Sequence, residues 1–229
     1  MKRQLRSILD RFTEKKRSEI KYSQLYNQVE IDTYIDNSYD PLFFMNLNPK
    51  YEQYNIGDWT YGNPTIKTWD QNTKLTIGKF CSIAGNVQIL LGGEHRKDWI
   101  TTYPFNIFFT KAKNIKGHPQ TKGDIIIGND VWICQNAIIL SGVNIGNGAI
   151  IGAGSVVSKN IPPYAIAAGN PITVISYRFT AEQITALEEI SWWNWPIDTV
   201  VGAIPELLSE NIQSFIDRYQ SKNSEMHKD

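Results

Sequence analysis

Histidine is the side chain in this sequence best suited to proton transfer, and two of the three histidines, His95 and His118, lie in one stretch of the chain. An imidazole with a pKa of about 6.5 accepts a proton from a hydroxyl at neutral pH, and such general-base assistance accelerates a reaction by roughly 10²- to 10⁴-fold. Gly92 and Gly93 come shortly before His95. Two glycines allow a close approach of the backbone there, while the imidazole ring of His95 projects outward. We predict that His95 is a general base.

A general base needs a partner that fixes its ring, and Glu94, Asp98 or a backbone carbonyl is available to His95 for this role. The alternative for an isolated histidine is a structural role, in which the ring only supports the path of the backbone. His118 is the second choice of base, although we expect it mainly to order its own segment. His227 lies in a polar tail and is set aside.

A metal centre is disfavoured by the same residues. Zinc sites use three or four histidine, cysteine or carboxylate ligands, whereas only His95 and His118 lie in the relevant stretch. The two cysteines, Cys81 and Cys134, form no Cys-x-x-Cys pair. We therefore expect no metal ion, and we expect both cysteines to be reduced and to lie in the core.

A six-residue repeat must position these side chains. Between residues 127 and 162 an aliphatic residue opens each of the six hexads, and small residues dominate the second and fifth positions. A period of six fits short strands separated by turns, so that three hexads close a triangular coil and the coils stack into a solenoid. Glycine and asparagine supply the turn conformations at the corners. The leading residues are Ile127, Ile133, Ile139, Ile145, Ile151 and Val157.

An earlier block in the same phase, from residue 77 to 94, predicts one complete coil, and residues 127 to 162 predict two more. A weaker hexad begins at Ile56. The distance from Ile89 to Ile127 is not a multiple of six, so a segment from about 95 to 122 must leave the solenoid as an inserted loop. His95 is the first residue of that loop.

The chain divides into three predicted parts: an N-terminal helical or irregular extension over residues 1 to 50, the repeat domain over 51 to 176, and a C-terminal helical segment over 177 to 229. Thr180 and Gln183 predict a capping box that starts a helix. The tryptophans that follow this helix are expected to pack against the solenoid rather than to stack on a sugar. They are Trp192, Trp193 and Trp195.

The first thirty residues predict an amphipathic basic helix, because apolar residues recur at helical spacing among Lys and Arg. Residues 1 to 21 contain eight basic and three acidic side chains, a net charge of +5. We expect this helix to pack within the oligomer, with weak attachment to a membrane surface as the alternative. The apolar residues are Leu5, Ile8, Leu9 and Phe12.

Composition excludes several classes of protein. Lys and Arg together number 23, as do Asp and Glu, so the formal net charge is zero. A neutral chain gives no whole-molecule attraction for nucleic acid, and we expect no nucleic-acid partner. No apolar run is long enough for a transmembrane helix, and no apolar signal core follows the start. We expect a cytoplasmic globular protein.

Seven segments of the sequence together resemble a known family. They are IGKFCSIA at 77 to 84, GGEHRKDW at 92 to 99, TTYPF at 101 to 105, IGNDVWI at 127 to 133, GNP at 169 to 171, YRF at 177 to 179 and WWNWP at 192 to 196. The chain resembles the hexapeptide-repeat xenobiotic acetyltransferases, such as the virginiamycin and type B chloramphenicol enzymes, and their sugar O-acetylating relatives, over roughly residues 54 to 208. The resemblance implies a mainly β protein, a left-handed parallel β-helix that forms a homotrimer, with acetyl-CoA bound between neighbouring subunits.

The resemblance also assigns site residues. It makes His95 the catalytic base, and it implies cofactor contacts from Lys159 and Arg178 to the coenzyme phosphates. Thr173 and Ser176 stand where several relatives carry arginines, a departure that bears on those phosphate contacts. The remaining implied cofactor contacts are Gln135, Ala153, Ser158, Asn170 and Pro171.

We expect a sugar or glycan hydroxyl as the acceptor, because GGEH and DWITTYPF resemble the sugar-modifying relatives more closely. Asp98 can accept hydrogen bonds from hydroxyls, and Trp99, Tyr103 and Tyr61 can stack on a ring, although each also suits ordinary packing. Acetylation of a streptogramin or chloramphenicol is the alternative enzymatic function. A non-catalytic solenoid scaffold is the alternative from outside enzymes.

Overall fold

The computed structural model describes residues 41–69 and 72–226, and short strands wound into a triangular prism make up most of this part. The predicted basic helix of the first thirty residues therefore lies outside the described residues. The first coil comprises β1 (Asn55–Ile56), β2 (Tyr61–Gly62) and β3 (Thr65–Lys67), and the second β4 (Leu75–Ile77), β5 (Ser82–Ile83) and β6 (Gln88–Leu90). The third and fourth comprise β7 (Ile125–Ile127), β8 (Trp132–Ile133), β9 (Ile138–Ile139), β10 (Asn144–Ile145), β11 (Ile150–Ile151) and β12 (Val156–Val157).

Three parallel sheets form the faces of the prism, in the orders β1-β4-β7-β10, β2-β5-β8-β11 and β3-β6-β9-β12. β13 (Ala165–Ala168) extends the second sheet in parallel, and β14 (Thr173–Tyr177) ends it as an antiparallel strand. The predicted mainly β solenoid is confirmed. The weak hexad at Ile56 begins a complete coil, since β1, β2 and β3 pair with β4, β5 and β6 on the three faces.

Aliphatic side chains stack in register through the interior of the prism. Ile83 pairs with Ile133, and Ile133 pairs with Ile151, across the second sheet. Ile89 pairs with Ile139 in the same way on the third face, and these residues are almost fully buried. Each coil therefore buries the leading residue of each hexad against the same position of the next coil.

The edge between the first and second sheets differs from the sequence prediction. We expected glycine or asparagine at the turns, yet four bulkier residues adopt positive φ there, at values from 54° to 64°. A side chain in this conformation costs about 1–2 kcal/mol, and hydrogen bonds between coils offset the cost, as from the Tyr164 N–H to the Asn147 carbonyl at 2.7 Å. We call this row the aromatic edge: Trp59, Phe80, Asp130, Gly148 and Tyr164.

Helices cover the aromatic edge. They are α2 (Ala181–Ile190), α3 (Ile197–Gly202), α4 (Ile204–Leu207) and α5 (Ile212–Met226), whereas α1 (Phe105–Phe108) lies in the inserted loop. The predicted capping box of Thr180 and Gln183 is confirmed. Trp193 is buried, and Trp192 and Trp195 pack partly buried around it, so the packing role of the tryptophans is also confirmed. No helix in residues 41–69 or 72–226 is both long and apolar enough to cross a bilayer.

Gly148→Ala should destabilise the fold more than Gly154→Ala. Both glycines have positive φ, +65° and +68°, but a Cβ at Gly148 would strike the Tyr164 ring, whereas a Cβ at Gly154 meets nothing within 4 Å. We expect Gly154→Ala to lower the free energy of unfolding by about 1–2 kcal/mol, and Gly148→Ala by roughly 1–3 kcal/mol more. Urea unfolding of both variants measures the difference. Equal losses would show that the Tyr164 ring moves aside without cost.

Candidate active site

The inserted loop is fastened to the prism at its base. Glu94 and Gln120 exchange two backbone hydrogen bonds of 3.0 and 2.7 Å. The Glu94 carboxylate accepts a hydrogen bond from the buried Ser141 hydroxyl at 3.3 Å and pairs with Lys122 at 3.4 Å. Gly93 has φ +87°, and a Cβ there would lie 2.7 Å from the Trp69 ring, so no larger residue fits. Glu94, the residue before His95, is therefore held by three separate partners: Gln120, Ser141 and Lys122.

His95 is oriented by a backbone carbonyl. Its Nδ1 lies 2.7 Å from the carbonyl oxygen of Thr102. Because a carbonyl only accepts hydrogen bonds, Nδ1 carries the proton and Nε2 of the neutral ring keeps its lone pair. The side chain is exposed in the single chain. This tautomer is the one that a general base needs, and the carbonyl is the orienting group among the three that the sequence offered.

His118 packs directly against His95. The ring centroids lie 4.5 Å apart and the planes are nearly perpendicular, at 88°. Neither nitrogen of His118 is exposed to solvent, and neither has a hydrogen-bond partner among the described residues. Burial, and secondarily the neighbouring charge of His95, lowers the pKa of His118. The ring is therefore neutral at neutral pH, and its nitrogens are shielded from an acceptor.

Asp98 and Trp99 lie together around Arg96. The guanidinium donates from Nε to Asp98 Oδ1 at 2.7 Å, contacts the second oxygen through another nitrogen, and lies 5.2 Å from the Trp99 ring centre. The hydrogen bond from Arg96 lowers the pKa of Asp98 to about 2. Asp98 is therefore ionised, and it already accepts hydrogen bonds from Arg96. The sequence predicted a contact between Asp98 and the acceptor but not this pair with Arg96.

The two predicted tyrosines occupy different places. Tyr103 lies in the loop, half exposed, among the rings of Phe105, Phe108 and Phe109 at 4.8 to 6.5 Å. Tyr61 lies on β2 in the second sheet, where it stacks on Phe43 at 5.0 Å. The loop leaves the prism after β6, in the third sheet. Only Tyr103 therefore shares the loop with His95.

The predicted cofactor residues are distributed over all three edges of one prism. Gln135, Ala153, Asn170 and Pro171 follow strands of the second sheet, where the Gly154 N–H donates to the Gln135 carbonyl at 2.9 Å. Ser158 and Lys159 follow β12 in the third sheet, at the edge from which the inserted loop departs after β6. All six residues are exposed.

Arg178 lies at the third edge, away from both groups. Its guanidinium donates to the Asp130 carboxylate at 3.1 Å and to the Gly148 carbonyl at 2.8 Å. Burial raises the pKa of Asp130, and the charge of Arg178 partly opposes that rise. Arg178 thus has two partners on the aromatic edge. The sequence predicted a contact with a coenzyme phosphate and neither of these partners.

The cysteines and acidic residues form no metal centre in the described part of the chain, where no group of three or more His, Cys, Asp or Glu side chains is suitably placed. Both cysteines are free thiols, as expected. Cys81 is fully buried, and burial raises the pKa of its thiol to about 11. Cys134 departs from the expectation of a core position because it is only half buried.

Comparison with known proteins identifies the family of the chain. The family model described as "Bacterial transferase hexapeptide (six repeats)" matches residues 124–159. A probable macrolide acetyltransferase of Lysinibacillus sphaericus is 44% identical over 156 residues, which cover 66% of this chain and 87% of that protein. The chain belongs to the hexapeptide-repeat xenobiotic acetyltransferases. Membership confirms the predicted left-handed β-helix and makes the protein an acyltransferase.

Two further comparisons extend this similarity. A chloramphenicol acetyltransferase of Morganella morganii is 43% identical over 149 residues, covering 62% of this chain and 70% of that protein. A solved galactoside acetyltransferase in complex with coenzyme A is 32% identical, with a TM-score of 0.42 and coverage of 56% of this chain. The chain spans 61% of the length of that structure.

Three contacts in this acetyltransferase were not predicted from the sequence. A backbone carbonyl was one of the partners predicted for His95, but nothing in the sequence identified that of Thr102, because every residue carries a carbonyl. The contact between His95 and His118 had a partial signal, since both belong to the inserted loop. The Asp130–Arg178 pair joins residues 48 positions apart. The only sequence signal for it was the position of Asp130 at a coil corner.

His118 of the acetyltransferase should titrate at a pH below its ordinary pKa of about 6.5. A base whose folded-state pKa is depressed binds fewer protons when folded, so its contribution to stability is complete above about pH 6.5 and is lost as the pH falls. Proton–carbon NMR of ¹³C-labelled histidine measures the titration. His95→Ala should raise the pKa of His118 only partly, because burial is the larger cause. A midpoint at or above 6.5 would contradict the burial of the ring.

Proposed function

We propose that the protein is an acetyl-CoA-dependent O-acetyltransferase that transfers an acetyl group to a hydroxyl of a sugar or glycan precursor, with His95 as the general base. The observation that carries the proposal is the hydrogen bond between His95 Nδ1 and the Thr102 carbonyl at 2.7 Å. It leaves Nε2 as an unprotonated nitrogen on an exposed ring at the start of the loop.

The proposed reaction is a direct transfer. Nε2 of His95 accepts the proton of the acceptor hydroxyl as its oxygen attacks the carbonyl of the acetyl thioester, which supplies the activated acyl group. The protonated His95 remains bonded to the Thr102 carbonyl through Nδ1–H, which stabilises its positive charge. His95 then returns the proton to the departing coenzyme sulfur, so the acetyl ester and the free thiol are formed and the base is regenerated.

A homotrimer would explain why the cofactor residues lie on different edges. The loop and Lys159 occupy one edge of the prism, and Gln135 and Ala153 another. In a ring of three prisms, one edge of each subunit faces a different edge of its neighbour, so the two groups would line one groove. Exposed Lys159 would meet a coenzyme phosphate there. Acetyl-CoA is a cytoplasmic metabolite, which supports the predicted cytoplasmic location.

Antibiotic acetylation is the second candidate function. The relatives named macrolide and chloramphenicol acetyltransferase match the chain at 44% and 43% identity. The inserted loop also exposes apolar side chains that suit a large, weakly polar acceptor: Ile100, Tyr103, Phe105, Ile107, Phe108, Phe109 and Ile115. Aromatic rings bind the apolar faces of sugars as well, so the same loop suits both classes of acceptor.

His95→Ala should lower kcat by at least roughly 100-fold, because it removes the proton acceptor. Calorimetric binding of acetyl-CoA should change less than about twofold, since the proposed cofactor contacts lie elsewhere. His227→Ala is the matched control, because it removes a histidine set aside from the site, and its activity should equal that of the original chain. Undiminished turnover in His95→Ala would remove His95 as the base.

A thiol-release assay should identify the acceptor class. With acetyl-CoA present, we expect thiol release with nucleotide sugars or glycans and little with chloramphenicol, a streptogramin or a macrolide. Release with the drugs alone would establish the second candidate instead. If calorimetry detects no binding of acetyl-CoA to this chain, both acetyl-CoA-dependent proposals fail.

A further inference from the structure

Residues 94–96, where the inserted loop departs from the prism, contact residues 117–120, where it returns. At residue 94 the contact is a backbone pair, and at residue 95 it is the contact between two imidazole rings. At residue 96 it is made by the guanidinium of Arg96. A Cβ placed on Gly117 would lie 2.8 Å from Arg96 Nη1. Arg96 therefore occupies the space that a side chain at residue 117 would need, immediately after the candidate base.

Asp98 and Trp99 hold the guanidinium of Arg96 in this place. Two of its nitrogens donate to the two oxygens of Asp98, and the Trp99 ring centre lies 5.2 Å away. The Arg96 side chain is only 23% exposed, whereas that of Asp98 is 58% exposed. A planar guanidinium that bonds both oxygens of a carboxylate is fixed in orientation as well as in position. Arg96 thus joins the turn over residues 96–99 to the backbone at Gly117.

The path of this turn determines where the Thr102 carbonyl lies. Thr102 follows His95 by seven residues, yet its carbonyl oxygen lies 2.7 Å from His95 Nδ1. Seven extended residues would span roughly 23–25 Å, so the chain has to fold back for this hydrogen bond to form. The pair between Arg96 and Asp98 fixes the first half of that return. The group that orients the base therefore depends on the position of Arg96.

We propose that Arg96 is a positioning residue for His95. Held between Asp98 and the backbone of Gly117, Arg96 keeps the loop in the fold in which the Thr102 carbonyl meets His95 Nδ1. This role rests on the proposed function of His95 as the general base. It also gives the carboxylate of Asp98 a partner within the loop, in place of the acceptor contact that the sequence predicted.

Proton–nitrogen NMR of the whole chain, labelled with ¹⁵N-histidine, tests the proposal without substrate. Above the ordinary histidine pKa of about 6.5, His95 should carry its proton on Nδ1, and loss of the signal in His95→Ala assigns it. Arg96→Lys keeps the positive charge but removes the planar fork, and His95 should become a mixture of the two tautomers. An unchanged Nδ1–H tautomer in Arg96→Lys would overturn the proposal.

Two glycines of the loop provide a matched pair of variants for the same NMR measurement. Gly117 has φ +107° and Gly123 has φ +112°, so alanine strains the backbone similarly at both. Only Gly117→Ala displaces Arg96, because a Cβ at Gly123 meets nothing within 4 Å. Gly117→Ala should therefore disturb the His95 tautomer, and Gly123→Ala should leave it unchanged. An equal effect of the two variants would contradict a specific role of Arg96.

Kinetics separate positioning of the base from binding of the acceptor. With acetyl-CoA and either chloramphenicol or a nucleotide sugar, Arg96→Lys should lower kcat at least about tenfold, since a misplacement of about 1 Å can cost 100-fold. The KM values for acetyl-CoA and for the acceptor should change less than about twofold. A raised acceptor KM with unchanged kcat would assign Arg96 and Asp98 to acceptor binding and overturn the proposal. Retained turnover in His95→Ala would instead refute the proposed function, and the tautomer measurement would still decide whether Arg96 positions the ring.

Discussion

The register between coils is the constraint on which the rest of the structure depends. Each hexad must place its leading aliphatic residue against the residue at the corresponding position of the next coil, as Ile89 packs against Ile139. The inserted loop respects this rule, because the pair between Glu94 and Gln120 closes it before β7 resumes the prism. Functional side chains can therefore differ only at positions outside the paired strands. These positions are the corners, the inserted loop and the flanking segments. His95 lies at the start of the insertion that follows β6.

The large side chains of the aromatic edge need a second element of the structure to cover them. Turns at Trp59, Phe80 and Tyr164 place large rings on the outside of the coil in a left-handed conformation that disfavours side chains. Those rings expose apolar area unless another element covers them. The C-terminal helices pack there, and the Asp130–Arg178 pair places its charges between the two layers. The helical segment and the unusual corners thus require each other.

The sequence predicted the repeating coils and the start of one helix, and it missed most of the contacts between outward-facing side chains. A period of six identified the strands, the insertion and the place of His95, and Thr180 with Gln183 identified the start of α2. Periodicity cannot report which outward side chains meet, so the distribution of Gln135, Lys159 and Arg178 over three edges was not predicted. It also assigned turns to small residues, whereas tertiary packing stabilises Phe80 and Tyr164 at corners.

The contact between His95 and His118 connects burial with the proposed chemistry. In the proposed reaction His95 becomes positively charged for part of each cycle, and a second charged imidazole 4.5 Å away would oppose that step. Burial keeps the pKa of His118 low and the ring neutral, so the proton is accepted without this repulsion. A lysine or arginine in its place would bring a permanent charge against His95. The inserted loop therefore gives His95 an uncharged aromatic neighbour, His118, whose own ring nitrogens are buried.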